Sequence, residues 1–257
     1  MSQRSIRLAL GNDQARITIA RPDRRNALTF EGWAELRDAV REVSAGPARV
    51  LIVDAEGEDF CLGGDLEQDH SPSGHSLEQM AWVGQACQAL AEAPQPTISR
   101  VQGVAVGAGF GLALAADFVL AARTARFGTL FTARGLSPDF GTSWVLPRLV
   151  GLGLARRLCL LPDVFDAERA LALGLVHDVA DPADLDGAVG ALAARLAAGP
   201  PLAYRLTKQL LNASLSSTLG MTLQAEAAAQ TINRSSADAL EGIASFVERR
   251  PPRFQGR

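Results

Sequence analysis

Three short segments of this chain carry the residue types that can do chemistry. Phe60-Cys61-Leu62-Gly63-Gly64-Asp65 and Gly103-Val104-Ala105-Val106-Gly107-Ala108-Gly109 read as strand-to-helix turns built from small residues. Turns of this kind leave backbone N–H groups free for a ligand, and small side chains let the ligand come close. Gly135-Leu136-Ser137-Pro138-Asp139-Phe140-Gly141 offers one carboxylate. Two backbone donors and one acid are enough to hold the negative oxygen of an enolate and to move a proton beside it. The same glycines also suit tight turns and helix–sheet packing, so spacing alone leaves both uses open. For Asp139 the competing role is a helix cap, because Pro138-Asp139 precedes an expected helix.

Other chemistries find less support. Gly107-Ala108-Gly109-Phe110-Gly111 departs from GxGxxG, and no acid ends a following strand where a dinucleotide site needs one. There is no GxSxG nucleophile turn. Of the three histidines, His70 and His75 fall in a polar stretch and His177 stands apart, so no metal site is expected. Cys61, Cys87 and Cys159 form no CxxC pair, which fits free thiols in a reducing cytoplasm.

The elements that position these segments follow from the wider pattern. At 257 residues and 47% apolar content, the chain can build one large domain, or one domain with a helical appendage. A net charge of -3 creates no field for nucleic acid or an anionic membrane, although local basic clusters can still meet a phosphate. The first ten residues are too polar for a secretory signal. The run 104–122 is long enough for a membrane span, but it is rich in Gly and Ala and contains Asp117, so it reads as tight helix packing in a core.

Residues 6–10 and 15–19 alternate with period two around Gly11-Asn12-Asp13, as a strand, turn and strand. Thr29 can cap a helix over 30–43. Residues 50–53, 97–101 and 118–121 are short apolar runs, as in strands buried on both faces, and a helix is expected over 77–91 between them. That alternation predicts parallel βαβ units with right-handed crossovers. Residues 67–76 read as a mobile loop. A short apolar run at 176–179 follows, and then helices over 185–198, 201–212, 218–233 and 237–248.

Taken in order, these segments resemble the crotonase superfamily, the enoyl-CoA hydratase/isomerase family. The resemblance rests on Arg21-Pro22-Asp23-Arg24-Arg25-Asn26-Ala27-Leu28, on the two glycine turns, on Phe127-Gly128, on Leu146-Pro147-Arg148-Leu149-Val150-Gly151, on Ala170-Leu171-Ala172-Leu173-Gly174-Leu175-Val176 and on Arg253-Phe254. It implies an α/β fold, a crotonase-like spiral of ββα units over 1–195 carrying the acyl-CoA site. A C-terminal helical trimerisation region over 196–257 would follow. It implies an acyl-CoA ligand, no metal and no cofactor beyond the coenzyme A of the substrate. A cytoplasmic homotrimer or dimer of trimers is expected.

By position, the resemblance makes the N–H groups of Gly64 and Ala108 the donors to the thioester oxygen. Arg24 or Arg25 would lie by the CoA phosphates, in competition with a role as a solvated basic turn. Asp65 would brace its turn. Leu62 and Leu66 would touch the substrate, with Trp82 and Val83 as further candidates for the acyl pocket. Phe131, Leu136, Phe140 and Trp144 would surround Asp139 with apolar atoms and raise its pKa.

Hydratases of the family use two glutamates, and at their positions this chain has Gly111 and Phe131, neither of which transfers a proton. Asp139 is the acid that remains, as in isomerase-type members such as the phenylacetyl-CoA epoxide isomerases. The expected function is therefore an acyl-CoA isomerase with Asp139 as proton shuttle. Alternatives are a hydratase using Asp139 with another partner, and an acyl-CoA-binding protein without catalysis. A dehalogenase-like role is disfavoured, because the histidine it needs aligns near Gly84 and the helix over 77–91 contains none.

Overall fold

Ile6–Leu10 (β1) and Gln14–Ile19 (β2) pair antiparallel, with Ile6 opposite Ile19. The computed structural model that shows this describes residues 4–11, 13–67 and 76–256. Ala15, Ile17 and Ile19 alternate inward along β2, which fixes its register against the core. After a short 3-10 turn at Pro22–Arg24, helix α1 spans Phe30–Ala45. Thr29 caps it, its side chain accepting from the Gly32 N–H at 3.3 Å. Strand β3 (Val50–Ala55) runs parallel to β2.

Helix α2 (Leu77–Ala91) begins with a reciprocal cap between Ser76 and Gln79 and packs on α1. Strands β4 (Thr97–Val101) and β5 (Val104–Val106) lead into the short helix α3 (Ala108–Leu114). Strands β6 (Phe118–Ala122) and β7 (Arg126–Gly128) follow, then α4 (Thr142–Leu160), β8 (Phe165–Asp166), α5 (Ala167–Ala172) and β9 (Asp178–Ala180). The run 104–122 is thus strand, helix and strand rather than one helix. Gly107, at φ 58, turns the chain between β5 and α3, and the polar peptide of Asp117 satisfies Thr97. No helix among the described residues is long and apolar enough to cross a membrane.

The main sheet has the order β1-β2-β3-β4-β6-β9, parallel throughout except at β1–β2. A second sheet, β5-β7-β8, lies beside the glycine turn. Both faces of β3 are buried. Leu51 and Val53 face the larger core with α1 and α2, while Val50 and Ile52 face helix α6 (Leu185–Ala197). That two-sided burial is why β3 is a continuous apolar run.

Helices α7 (Pro201–Ser214), α8 (Leu219–Arg234) and α9 (Ala237–Glu248) complete the chain. Lys208 ties α7 to the sheet. Its ammonium donates to Asp117 Oδ2 at 2.6 Å and to the Gln95 carbonyl at 2.7 Å, and Asp117 Oδ2 also accepts from the Thr97 N–H and hydroxyl. Burial lowers the Lys208 pKa against the opposing pull of Asp117.

Candidate active site

The first glycine turn is clamped on both sides. Leu28 N–H donates to the Gly63 carbonyl and Asp65 N–H to the Leu28 carbonyl, both at 2.9 Å. On the other side Cys61 N–H donates to the Val104 carbonyl at 3.0 Å and Val106 N–H to the Cys61 carbonyl at 3.1 Å. The two turns therefore lie side by side. A Cβ on Gly63 would stand 3.0 Å from the Ala108 nitrogen, and one on Gly109 would overlap the Cys61 carbonyl.

Gly64 differs from these packing glycines. A Cβ there would meet nothing within 4 Å, and Gly64 is exposed. Neither the Gly64 N–H nor the Ala108 N–H, at the first position of α3, donates to another described residue. Both residues line one cavity of about 370 Å³. Two free donors in adjacent turns make a place for an oxyanion.

Asp139 lines the same cavity. Its Oδ1 is buried and has no hydrogen-bond partner. Burial pushes its pKa up to about 6, against a small opposing effect of its own backbone N–H. The carboxylate is not the cap of α4. Gly141, at φ 69, takes that position, and only the Asp139 main-chain carbonyl is engaged, accepting from Thr142 N–H at 2.9 Å. Phe140 is buried behind it with its ring centroid 4.9 Å from that of Trp33. The Asp139 charge also acts on two thiols. Burial and then Asp139 push Cys87 up to about 11, while burial carries Cys61 to about 12 with Asp139 adding to it.

Nine of the residues expected at the site share the cavity wall with Asp139. Besides Gly64 and Ala108 these are Arg24, Arg25, Leu62, Asp65 and Leu66, from the segments around the first turn, and Phe131 and Leu136, from the segment that carries Asp139. Asp65 is 1% exposed and held by two arginines, with Arg24 Nη2 to Oδ1 at 2.9 Å and Arg21 Nη2 to Oδ2 at 3.0 Å. Arg24 also reaches Glu67 at 2.7 Å, and Arg25 meets Asp59 at 2.6 Å. These carboxylates raise both arginine pKa values further. Asp65 is thus a brace, joining the first turn to residues 21–24.

Trp144 is not part of the wall. It lies in the first turn of α4 on the outer face, 49% exposed, with the Arg148 guanidinium 4.0 Å above its ring. Trp82 and Val83 are also outside the cavity. Val83 is buried in the core and Trp82 packs against it. His70, His75 and most of the expected loop over 67–76 lie outside the described residues. Sequence reasoning missed Leu130 and Arg134 in the wall. An arginine five positions before Asp139 reads as ordinary surface charge, and it stays exposed in the 3-10 turn at Thr132–Arg134 while lining the cavity.

Gly111 and Phe131 occupy the positions that the resemblance gives to the hydratase glutamates. Gly111 is buried, and a Cβ there would lie 2.7 Å from Thr142 Oγ1 and 2.8 Å from the Phe140 carbonyl. Phe131 is 6% exposed and contributes apolar surface to the cavity.

A parallel sheet feeding two abutting glycine turns over a cavity is the architecture of the crotonase superfamily, whose proteins handle acyl thioesters. The chain matches the enoyl-CoA hydratase/isomerase model over residues 11–257, belongs to that family and is one of its enzymes. It is 39% identical over 259 residues to a probable enoyl-CoA hydratase of Rhodobacter capsulatus, covering 100% of both chains. It is 35% identical over 247 residues to the 1,2-epoxyphenylacetyl-CoA isomerase of Escherichia coli K12, covering 94% of each. The crystal structure of an enoyl-CoA hydratase from Polaromonas sp. JS666 superposes with a TM-score of 0.91 at 33% identity, covering 97% of this chain and 99% of that one.

Proposed function

We propose that this protein is an acyl-CoA isomerase that shifts a double bond, or rearranges a ring-derived enoyl thioester, through an enolate. One observation carries the reading. Asp139 carries a buried carboxylate oxygen in the wall that has no partner among the described residues, and Gly111 and Phe131 stand where a hydratase would place its two acids.

The thioester carbonyl of a 3-enoyl-CoA accepts from the Gly64 and Ala108 N–H groups. The Asp139 carboxylate removes a proton from the carbon next to the carbonyl, and the electron pair moves onto the thioester oxygen as a dienolate. Each donor at such an oxygen contributes about 2.7–4 kcal/mol of transition-state stabilisation. The carboxylic acid formed at Asp139 then returns its proton two carbons further along, and the double bond comes to rest beside the carbonyl. A pKa near 6 suits a group that both takes and returns a proton at neutral pH. No cofactor beyond the substrate's own coenzyme A enters these steps. Arg24 and Arg25 are the candidates for its phosphates.

Proton NMR of the protein with a 3-enoyl-CoA in deuterated water tests the reading. Conversion to the 2-enoyl thioester with deuterium uptake, both lost in Asp139→Asn, supports it. Full turnover in Asp139→Asn overturns it. The second reading is hydration, favoured by the relative of Rhodobacter capsulatus. Oxygen-18 from solvent appearing in the product would decide for it.

The same proposal takes the protein as a cytoplasmic trimer or pair of trimers. Its support is the free state of all three cysteines and the exposed Leu219, Leu223, Leu240, Ile243, Phe246 and Val247 on α8 and α9. Sedimentation equilibrium giving a monomer would end the oligomer reading.

A further inference from the structure

The arginines of the cavity wall are not equivalent. Arg24 and Arg25 come from the turn near Pro22, and both are neutralised by carboxylates, Arg24 by Asp65 and Glu67 and Arg25 by Asp59. Arg134 comes from a different segment, the one that also supplies Phe131, Leu136 and Asp139. Among the described residues no carboxylate pairs with it. Among the described residues it makes one hydrogen bond, from Nη1 to the Leu130 carbonyl at 3.2 Å, which leaves most of its five N–H donors without a described partner.

Position gives this cation its meaning. Once Gly64 and Ala108 hold the thioester oxygen, the carbon next to the carbonyl must face Asp139, so the acyl group extends along the wall that carries Asp139. Coenzyme A leaves in the other direction. The segment that carries Asp139 also brings Phe131 and Leu136, both apolar, and the Arg134 guanidinium to the same cavity, so these are the surfaces offered to the acyl group. Apolar side chains beside a planar cation that no described carboxylate pairs with fit a chain that ends in a carboxylate, which a guanidinium grips through two parallel hydrogen bonds.

We propose that Arg134 is a specificity residue that binds a carboxylate at the far end of the acyl group, so that the preferred substrates are thioesters of dicarboxylic acids. This rests on the acyl-CoA reading above and narrows its substrate class. Asp139 stays with the proton, and Arg134 does not touch the reacting carbons.

Saturated thioesters test the assignment without turnover. Adipyl-CoA and hexanoyl-CoA have the same chain length and differ in the terminal carboxylate, and free CoA reports the phosphate contacts alone. Calorimetric titration of the wild-type protein is expected to show adipyl-CoA bound about tenfold or more tighter than hexanoyl-CoA, the range of a charge-assisted contact. The ratio should fall to about one in Arg134→Gln and to an intermediate value in Arg134→Lys, which keeps the charge but loses the fork. Arg134 is exposed, so neither substitution disturbs the core.

Equal affinity of wild-type protein for the two thioesters overturns the proposal. So does a common weakening of free CoA and both thioesters in Arg134→Gln, which would assign the guanidinium to a CoA phosphate. In either case the acyl-CoA reading stands. Failure of all three ligands to bind would sink that reading and this one together.

Discussion

Gly111 and Thr142 pack against each other in the core behind the Asp139 loop. The Cβ that Gly111 lacks would lie 2.7 Å from the Thr142 hydroxyl oxygen, and Thr142 is fully buried with that oxygen unpartnered. The helix after the second glycine turn and the loop bearing Asp139 are therefore in contact, with no room for a side chain between them. Loss of an acid at position 111 and the approach of the Asp139 loop are one arrangement.

Gly111→Glu restores the acid that hydratases carry at this position, but the structure cannot house it. The substitution is expected to destabilise the fold by about 1–3 kcal/mol or more, as overpacking does. It should not create hydration. Thermal unfolding together with oxygen-18 incorporation measures both. A stable Gly111→Glu protein that hydrates a 2-enoyl-CoA would contradict the close contact.

Activity should follow the ionisation of Asp139. With its pKa raised to about 6, kcat/KM is expected to rise through pH 6 and to be lost below it as the base becomes protonated. Stability runs the other way. The folded state holds this proton more tightly than the unfolded chain, so Asp139 contributes least destabilisation below about pH 4, and the cost develops as pH rises through 6. A shift from 3.8 to about 6 corresponds to about 3 kcal/mol. Asp139→Asn should therefore unfold at higher temperature than wild type at pH 8, with the gap closing near pH 4. Equal melting temperatures at pH 8 would argue against an uncompensated buried carboxylate.

The glycines of the two turns separate by steric test. Gly109→Ala forces a methyl into the Cys61 carbonyl and should cost more than about 2 kcal/mol. Gly64→Ala meets open space and no positive φ, so its stability should stay within about 0.5 kcal/mol of wild type. Any loss of acyl-CoA affinity in that variant then reports the ligand surface alone. Calorimetric melting of the pair, with a binding titration on Gly64→Ala, checks it.

Lys208 carries the docking of α7. Lys208→Met leaves Asp117 Oδ2 with Thr97 but without its cation, and the Gln95 carbonyl loses its donor. Uncovering one side of a largely buried pair should cost about 1–3 kcal/mol. Amide exchange should quicken in α7 before the sheet. Unchanged protection there would show that apolar packing alone holds the helix.

The sequence by itself determined the elements whose signals are local. Period two marked β1 and β2, a continuous apolar run marked β3, and Thr29 announced α1, because alternation, two-sided burial and capping act over a few neighbouring residues. The glycine turns and Asp139 were legible for the same reason, since a main chain that must pass close to another has little choice but glycine. Sheet β5-β7-β8 was not legible. Its strands of two or three residues show no period, and each exists only through a partner more than 20 residues away. The tertiary structure alone decided which flanking side chains reach the cavity. Trp144 and Arg134 lie on either side of Asp139 at equal sequence separation. The helical rotation of α4 turns Trp144 outward, while the 3-10 turn folds Arg134 into the wall, and such rotations are fixed by packing against distant elements rather than by the residues themselves.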